Sequence, residues 1–264
     1  MEKLSPEYIN RFGGVARLYG QRLFQSLSTT HVAVVGIGGV GSWCAEALIR
    51  TGIGELTLID MDEICVTNTN RQLHTLHDSV GKSKVETMKE RLLNINPEAK
   101  IHAVIDFVTE ETLEKLITSD MNIVVDAIDS LKNKALMANF CREKNLKLIT
   151  IGGAGGKSDP TQLRTGDLAD SAQDNLLKRL KKKLRRDFNF PSIGPMGVRA
   201  VYSFERAVYP GEDGEVCYKD ELKDKSMAAL DCATGMGTVS FATGAFGFAA
   251  AKEVMELLKE SLGQ

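Results

Sequence analysis

Seven residues, Gly36-Ile37-Gly38-Gly39-Val40-Gly41-Ser42, restrict this chain to a narrow set of folds. They follow His31-Val32-Ala33-Val34-Val35, a β-branched run of the kind found in parallel strands buried on both faces. They precede Trp43-Cys44-Ala45-Glu46-Ala47-Leu48-Ile49, which reads as a helix. A G-x-G-x-x-G spacing set between strand and helix marks a nucleotide-binding βαβ unit. Gly36 permits the tight turn, Gly38 lets backbone approach a phosphate, and Gly41 lets the helix pack close on the strand. Free N–H groups at the helix start then face an anion. The next strand, Glu55-Leu56-Thr57-Leu58-Ile59, ends at Asp60, where such folds place a carboxylate for ribose hydroxyls. A glycine turn that binds nothing is the plain alternative; the full strand–turn–helix context favours a nucleotide.

The alternation of strand and helix continues along the chain. Residues 5–30 read as amphipathic helix. Residues 81–96 carry Val85, Met88, Leu92 and Ile95 at helical spacing and stop at Pro97. Strands are predicted at 101–104, 122–127 and 147–151, with helices at 109–117 and 131–144 between them. This βαβαβ order predicts an α/β fold with a doubly wound, Rossmann-like, mostly parallel sheet. After about residue 165 the pattern changes to a helix at 174–188, a Pro- and Gly-containing flexible loop at 189–197, a strand-like stretch at 198–209 and a final helix at 239–258. The expectation is one domain over 1–264. Its nucleotide-binding core is 1–165, and 166–264 form a C-terminal lobe with a basic helix and antiparallel strands.

Bulk properties narrow the function. Lys and Arg total 33 against 35 Asp and Glu, so affinity for nucleic acid must be local. None of the five cysteines forms a C-x-x-C pair, which argues against a zinc knuckle or disulfide framework and suits a reducing cytoplasm. The N-terminal ten residues lack the apolar core of a signal peptide. Residues 232–251 carry no charge, a length that could span a bilayer. Their glycines and hydroxyls, with no Leu, predict close packing inside the protein or a dimer, and no stable membrane insertion.

Candidate chemistry gathers after the second strand: Asp60-Met61-Asp62, then Asn68-Thr69-Asn70-Arg71-Gln72, then Lys84, and finally Asp129 beyond a later strand. In a doubly wound sheet these strand ends converge on the ligand crevice. Two cations and several carboxylates beside a nucleotide suit triphosphate chemistry. Arg71 offers a planar fork for phosphate oxygens and Lys84 a point charge. Asp129 suits Mg²⁺. Turn-capping asparagines, a surface-paired Arg71 and a solvated Lys84 are the ordinary readings of the same residues.

Val35-Gly36-Ile37-Gly38-Gly39-Val40-Gly41, Asn68-x-Asn70-Arg71-Gln72, Val80-Gly81-x-x-Lys84 and Asp126-x-x-Asp129 together resemble the adenylating enzymes of the ubiquitin-activating, molybdopterin- and thiamine-biosynthesis superfamily. Further stretches are similar to the branch that dehydrates threonylcarbamoyladenosine in tRNA. These are Arg11-Phe12-Gly13-Gly14, Arg50-Thr51-Gly52-Ile53-Gly54, Cys65-Val66-Thr67 and Gly152-Gly153-Ala154-Gly155-Gly156. The resemblance implies ATP and Mg²⁺ as cofactors and transfer of AMP to a carboxylate. The nucleotide would be held by Gly36, Gly38, Gly39, Gly41, Asp60, Asp62, Asn68, Arg71, Gln72, Lys84 and Asp129, with Asp129 on the metal and Arg71, Lys84 and Asp129 catalytic. It also implies a homodimer in which Arg11, or else Arg17, reaches the partner's nucleotide, a tRNA substrate, and a cysteine desulfurase or sulfur-acceptor system as a further partner. Most sulfur-carrier activators hold zinc in two C-x-x-C pairs, and ubiquitin-activating enzymes add a cysteine domain. Neither is present here, so no zinc is expected and a non-protein substrate is favoured. An activator of a sulfur-carrier or ubiquitin-like protein is the alternative, ahead of an NAD-dependent oxidoreductase and of a non-catalytic nucleic-acid adaptor. Cys232 matches a cysteine of the dehydratases and suits a small buried apolar residue equally well.

One cluster stands apart. Seven of the nine residues from Lys178 to Arg186 are basic: Lys178, Arg179, Lys181, Lys182, Lys183, Arg185 and Arg186. Leu176, Leu177, Leu180, Leu184 and Phe188 fall on the opposite side of the same helix. Such a face is either a solvated surface or a phosphate-binding one, and for a tRNA substrate the second is expected.

Overall fold

The structure is a computed structural model and describes residues 3–211, 214–221 and 236–264. Helices α1 (Pro6–Tyr19) and α2 (Gln21–Leu27) lead into β1 (His31–Val35), α3 (Gly41–Thr51) and β2 (Glu55–Ile59). Then come α4 (Lys84–Ile95), β3 (Lys100–Val104), α5 (Leu113–Leu116), β4 (Ile123–Asp126), α6 (Leu131–Glu143) and β5 (Lys147–Ile151). The last part adds β6 (Leu163–Asp167), α7 (Asn175–Phe188), β7 (Arg199–Ser203), β8 (Val208–Pro210), β9 (Val216–Tyr218) and α8 (Ser240–Ser261).

Seven strands form one sheet in the order β3-β2-β1-β4-β5-β7-β6, parallel except for the antiparallel edge strand β6. Strand order reverses beside β1, with β2 on one flank and β4 on the other. That reversal opens a crevice at the carboxyl ends of β1 and β4. The period-2 alternation of a strand explains the two cores. Val32, Val34, Leu56, Leu58, Ile123 and Val125 point to the face covered by α1–α4 and α8, whereas Ala33, Val35, Ile59 and Val124 point to α5–α7. The doubly wound, mostly parallel sheet is as the sequence predicts.

The later chain differs from the expectation in instructive ways. Residue 165 falls inside β6, and β7 pairs with both β5 and β6, so the C-terminal part completes the same sheet. β6 escapes the sequence because Leu163-Arg164-Thr165-Gly166-Asp167, half-exposed on an edge, has no apolar run. The stretch 198–209 divides into β7 and β8, which pairs antiparallel with β9. The loop at 189–197, expected to be flexible, is pinned at both ends. Phe190 and Met196 are buried, and the N–H groups of Met196 and Gly197 each donate to the Asp167 carboxylate at 2.8 Å.

The uncharged run finds its close neighbour within its own chain. A Cβ on Gly247 would stand 2.6 Å from the Val40 carbonyl oxygen and 2.8 Å from the Cys44 nitrogen, so α8 approaches α3 at backbone contact. Gly244 faces the Trp43 indole. Gly244 and Gly247 thus serve a helix pair inside one protomer, one of the two kinds of close packing expected for the run. Cys232 and the rest of 232–235 lie outside the described residues. Among the described residues, no helix is long and apolar enough to cross a membrane.

Candidate nucleotide site

A cavity of about 570 Å³ occupies the crevice at the strand-order reversal. The turn after β1 supplies Gly36, Gly38 and Gly39 to its wall; the segment after β2 supplies Asp60, Asp62, Asn68, Arg71 and Gln72. Lys84 enters from the first residue of α4, Asp129 from the end of β4, and Gly152 and Gly153 from the end of β5. Gly41 lies beneath this wall. A Cβ there would sit 1.8 Å from the Gly36 carbonyl oxygen, so its role is to seat α3 against the turn. Gly36 adopts φ +89°, and a Cβ on it would meet the Ala127 carbonyl at 3.0 Å. Only glycine satisfies both demands.

The acidic groups divide by task. Asp60 accepts the Ile37 N–H at 2.7 Å through one oxygen and the Asp62 N–H at 2.9 Å through the other. The carboxylate expected at the ribose therefore also braces the glycine turn. Lys84, 8% exposed, pairs with Asp62 at 2.6 Å and Asp60 at 3.7 Å. The lysine is accordingly no solvated helix residue but a cation held at the cavity by two carboxylates. Asp129 is exposed and has no ion pair or side-chain hydrogen bond among the described residues, which leaves its oxygens available to a hard cation.

The Asn68–Gln72 segment mixes capping with binding. Asn68 accepts the Cys65 N–H at 3.1 Å and Asn70 donates to the Thr238 carbonyl at 2.9 Å, so both asparagines shape the loop. Arg71 fixes one end of its fork, Nη1, on the Thr67 carbonyl at 2.9 Å and on Asn70 at 3.0 Å. Its Nε and Nη2 have no protein partner among the described residues. Gln72 is buried, and its Oε1 has no partner. An acceptor lining a nucleotide cavity in that state is ready for a ligand donor. Cys65 also lines the cavity, and a hydrogen bond from Thr67, aided by Arg71 and Lys84, holds its thiol below the usual cysteine range.

Sequence reasoning missed two buried ion pairs behind the cavity. Lys134 and Asp126, both fully buried, meet at 2.9 Å, and the Thr150 hydroxyl donates to the same carboxylate at 2.7 Å. Lys157 meets Asp174 at 3.1 Å. Asp174 also accepts the Gly153 N–H at 3.0 Å and the Leu177 N–H at 2.9 Å, joining the cavity wall to the first turn of α7. Each lysine reads as an ordinary surface residue until its surroundings are known. Behind Lys84, burial and that cation's charge push His74 down to about 4, so its imidazole is neutral at pH 7.

Two groups of predicted residues lie outside the cavity wall. Arg11 sits on α1, paired with Glu7 at 2.7 Å. The basic residues lie on α7, whose Leu176, Leu177, Leu180 and Leu184 are buried. Lys181 donates to the Ala169 and Ser171 carbonyls at 3.2 and 2.6 Å, Lys183 pairs with Asp187 at 2.7 Å, Arg186 pairs with Asp187, and Arg185 donates to the Pro191 carbonyl at 3.1 Å. Lys178, Arg179 and Lys182 are exposed and have no such partner among the described residues.

A glycine turn at the reversal of a parallel sheet, faced by a held lysine, a half-free arginine fork and an open carboxylate, defines a nucleotide-binding enzyme of the adenylating class. The chain belongs to the ThiF family, whose model matches residues 14–263. It is 47% identical over 255 residues to the tRNA threonylcarbamoyladenosine dehydratase of Escherichia coli (strain K12), covering 96% of this chain and 95% of that one. It is 43% identical to the dehydratase of Haemophilus influenzae, covering 95% and 94%. It also superimposes on the Escherichia coli enzyme TcdA in complex with ATP, with a TM-score of 0.87 and 42% identity over 99% of each chain.

Proposed function

We propose that this chain dehydrates threonylcarbamoyladenosine in tRNA, using ATP to activate the threonyl carboxylate. The observation that carries the reading is the cavity itself, whose glycine turn, Arg71, Lys84 and Asp129 converge in a chain similar over nearly its whole length to dehydratases. A carboxylate is ionised at pH 7, so it attacks the α-phosphorus without a general base. Pyrophosphate leaves, and the carboxyl now carries AMP. Attack by the neighbouring ureido group on that carbonyl expels AMP with one carboxyl oxygen, closing the ring with net loss of water. The protein's task is alignment and charge neutralisation: Arg71 and Lys84 face the phosphates, and the turn amides donate to an oxyanion. The residues fit Mg²⁺, which keeps most of its waters and needs one open carboxylate beside the phosphates; Asp129 provides it, and the metal when bound neutralises phosphate charge. Arrival of a phosphate on Lys84 competes with Asp62.

The same reading includes a cytoplasmic homodimer with Arg11 of one protomer at the other's nucleotide, and a cysteine desulfurase system as an auxiliary partner. The test is nucleoside mass spectrometry of tRNA incubated with the pure protein, ATP and Mg²⁺. Loss of threonylcarbamoyladenosine to a product lighter by one water is expected. An unchanged nucleoside overturns the proposal, and pyrophosphate exchange that depends on a diglycine-tailed protein would install the sulfur-carrier alternative.

For tRNA docking, the basic set is Lys178, Arg179, Lys181, Lys182, Lys183, Arg185 and Arg186, and the unpaired three are the best placed to meet phosphates. Changing Lys178, Arg179 and Lys182 to Gln should flatten the salt dependence of tRNA affinity by roughly one unit of slope for each phosphate neutralised by those side chains. ATP affinity should hold. An unchanged slope would make α7 a solvated face only.

A further inference from the structure

We propose that His31, Glu55 and His102, with Asp120 beside them, form a zinc-class divalent cation site at the end of the sheet opposite the nucleotide cavity. Register creates the cluster. His31 pairs with Glu55 across β1 and β2, and Thr57, two residues along β2 and so on the same face, pairs with His102 of β3. Two imidazoles and a carboxylate thus project side by side from three adjacent strands. Their ligand atoms all lie within 4.8 Å of one another.

The spacings suit a tetrahedral ion. Ligands 2.0–2.1 Å from zinc stand about 3.3 Å apart. Here His102 Nε2 lies 2.8 Å from Glu55 Oε1, and His31 Nδ1 lies 3.9 Å from the same oxygen. Asp120 Oδ2, on an exposed side chain, is 3.0 Å from His31 Nδ1, and water takes the fourth position of the tetrahedron.

His31 is built for the role. It is buried, and its Nε2 lies 2.8 Å from the hydroxyl of Thr57, which is buried too. With Nε2–H donated to that oxygen, the Nδ1 lone pair is directed at the cluster, the arrangement by which an outer partner orients a metal-binding histidine. Lys100 is the local competitor, 3.8 Å from the other Glu55 oxygen, but at 74% exposure it is free to turn into water.

The absence of C-x-x-C pairs, which argued against zinc, does not bear on an imidazole–carboxylate site. The five residues of β1 separate this cluster from the glycine turn by roughly 16 Å. Its consequence is therefore a cross-link of three strands, not a part in AMP transfer.

The test uses the full chain freed of any affinity tag, with Zn²⁺ alone as the probe. One Zn²⁺ should remain per chain after dialysis, raise the melting temperature, and be removed by a chelator with loss of that gain. Glu55→Gln and His102→Gln, both at solvent-accessible positions, should each weaken binding by about tenfold or more while keeping the circular dichroism spectrum. Co²⁺ in place of Zn²⁺ should give a tetrahedral visible spectrum without a thiolate charge-transfer band. Failure to retain zinc, full binding by His102→Gln, or a thiolate band pointing to Cys65 or Cys217 would each overturn the proposal.

Discussion

Lys84→Ala should lower ATP-dependent dehydration by about a hundredfold or more, the scale on which removal of one preorganised electrostatic stabiliser is felt. The loss has two sources. The ammonium that faces the phosphates disappears, and the carboxylates of Asp62 and Asp60, at 2.6 and 3.7 Å, lose their counter-charge and confront the incoming triphosphate. Lys84→Ala combined with Asp62→Asn separates the two, because the double variant lacks the cation without the added repulsion of an unpaired Asp62. It should bind ATP better than the single variant while remaining slow. Asp129→Ala should cost a similar factor through loss of the metal's carboxylate, at an exposed position where folding is insensitive to the change. Single-turnover rates with saturating ATP, beside circular dichroism to monitor the fold, decide the matter. Near-normal turnover in either variant would place the chemistry elsewhere.

Lys134→Met should destabilise the protein by about 3–5 kcal/mol, the usual consequence of stranding one member of a buried pair. Both members are fully buried, so Asp126 would lose its cation 2.9 Å away and, among the described residues, keep the Thr150 hydroxyl as its side-chain partner. A second variant tests the cause. Replacing Asp126 with Leu along with Lys134→Met removes the stranded charge and should recover most of the loss. Urea midpoints at constant m-value give both numbers. A Lys134→Met protein of unchanged stability would show that the pair is not the anchor of the β4 end. Because Asp126 lies three residues before Asp129, the single variant should also weaken ATP binding.

The sheet and the centre of the site were legible because their signals are local. A β-branched run followed by glycines at fixed spacing needs no knowledge of the rest of the chain, and Asp129 declares itself by following a buried strand at three residues' distance. What stayed hidden depends on distant partners. Lys134 and Lys157 have the helix or loop positions of solvated lysines, and only the folded chain brings Asp126 and Thr150 to the first and Asp174 to the second. β6 has no apolar pattern, since one flank and much of both faces meet solvent. The glycines of α8 correctly signalled close packing, but a small-residue stripe cannot say whether its partner is another copy or α3.

The sheet order has a consequence during synthesis. β6 is made before β7, yet its sheet neighbour is β7, which stands between it and β5. From residue 167 to residue 203 the ribosome adds 36 residues, a delay of roughly 2–7 s at 5–20 residues per second. Through that interval β5 presents an open edge and β6 has nothing to pair with, the condition in which strands join the wrong chain. The nascent protein thus passes through a window in which its first five strands can already pair in order while its outer edge is still unguarded.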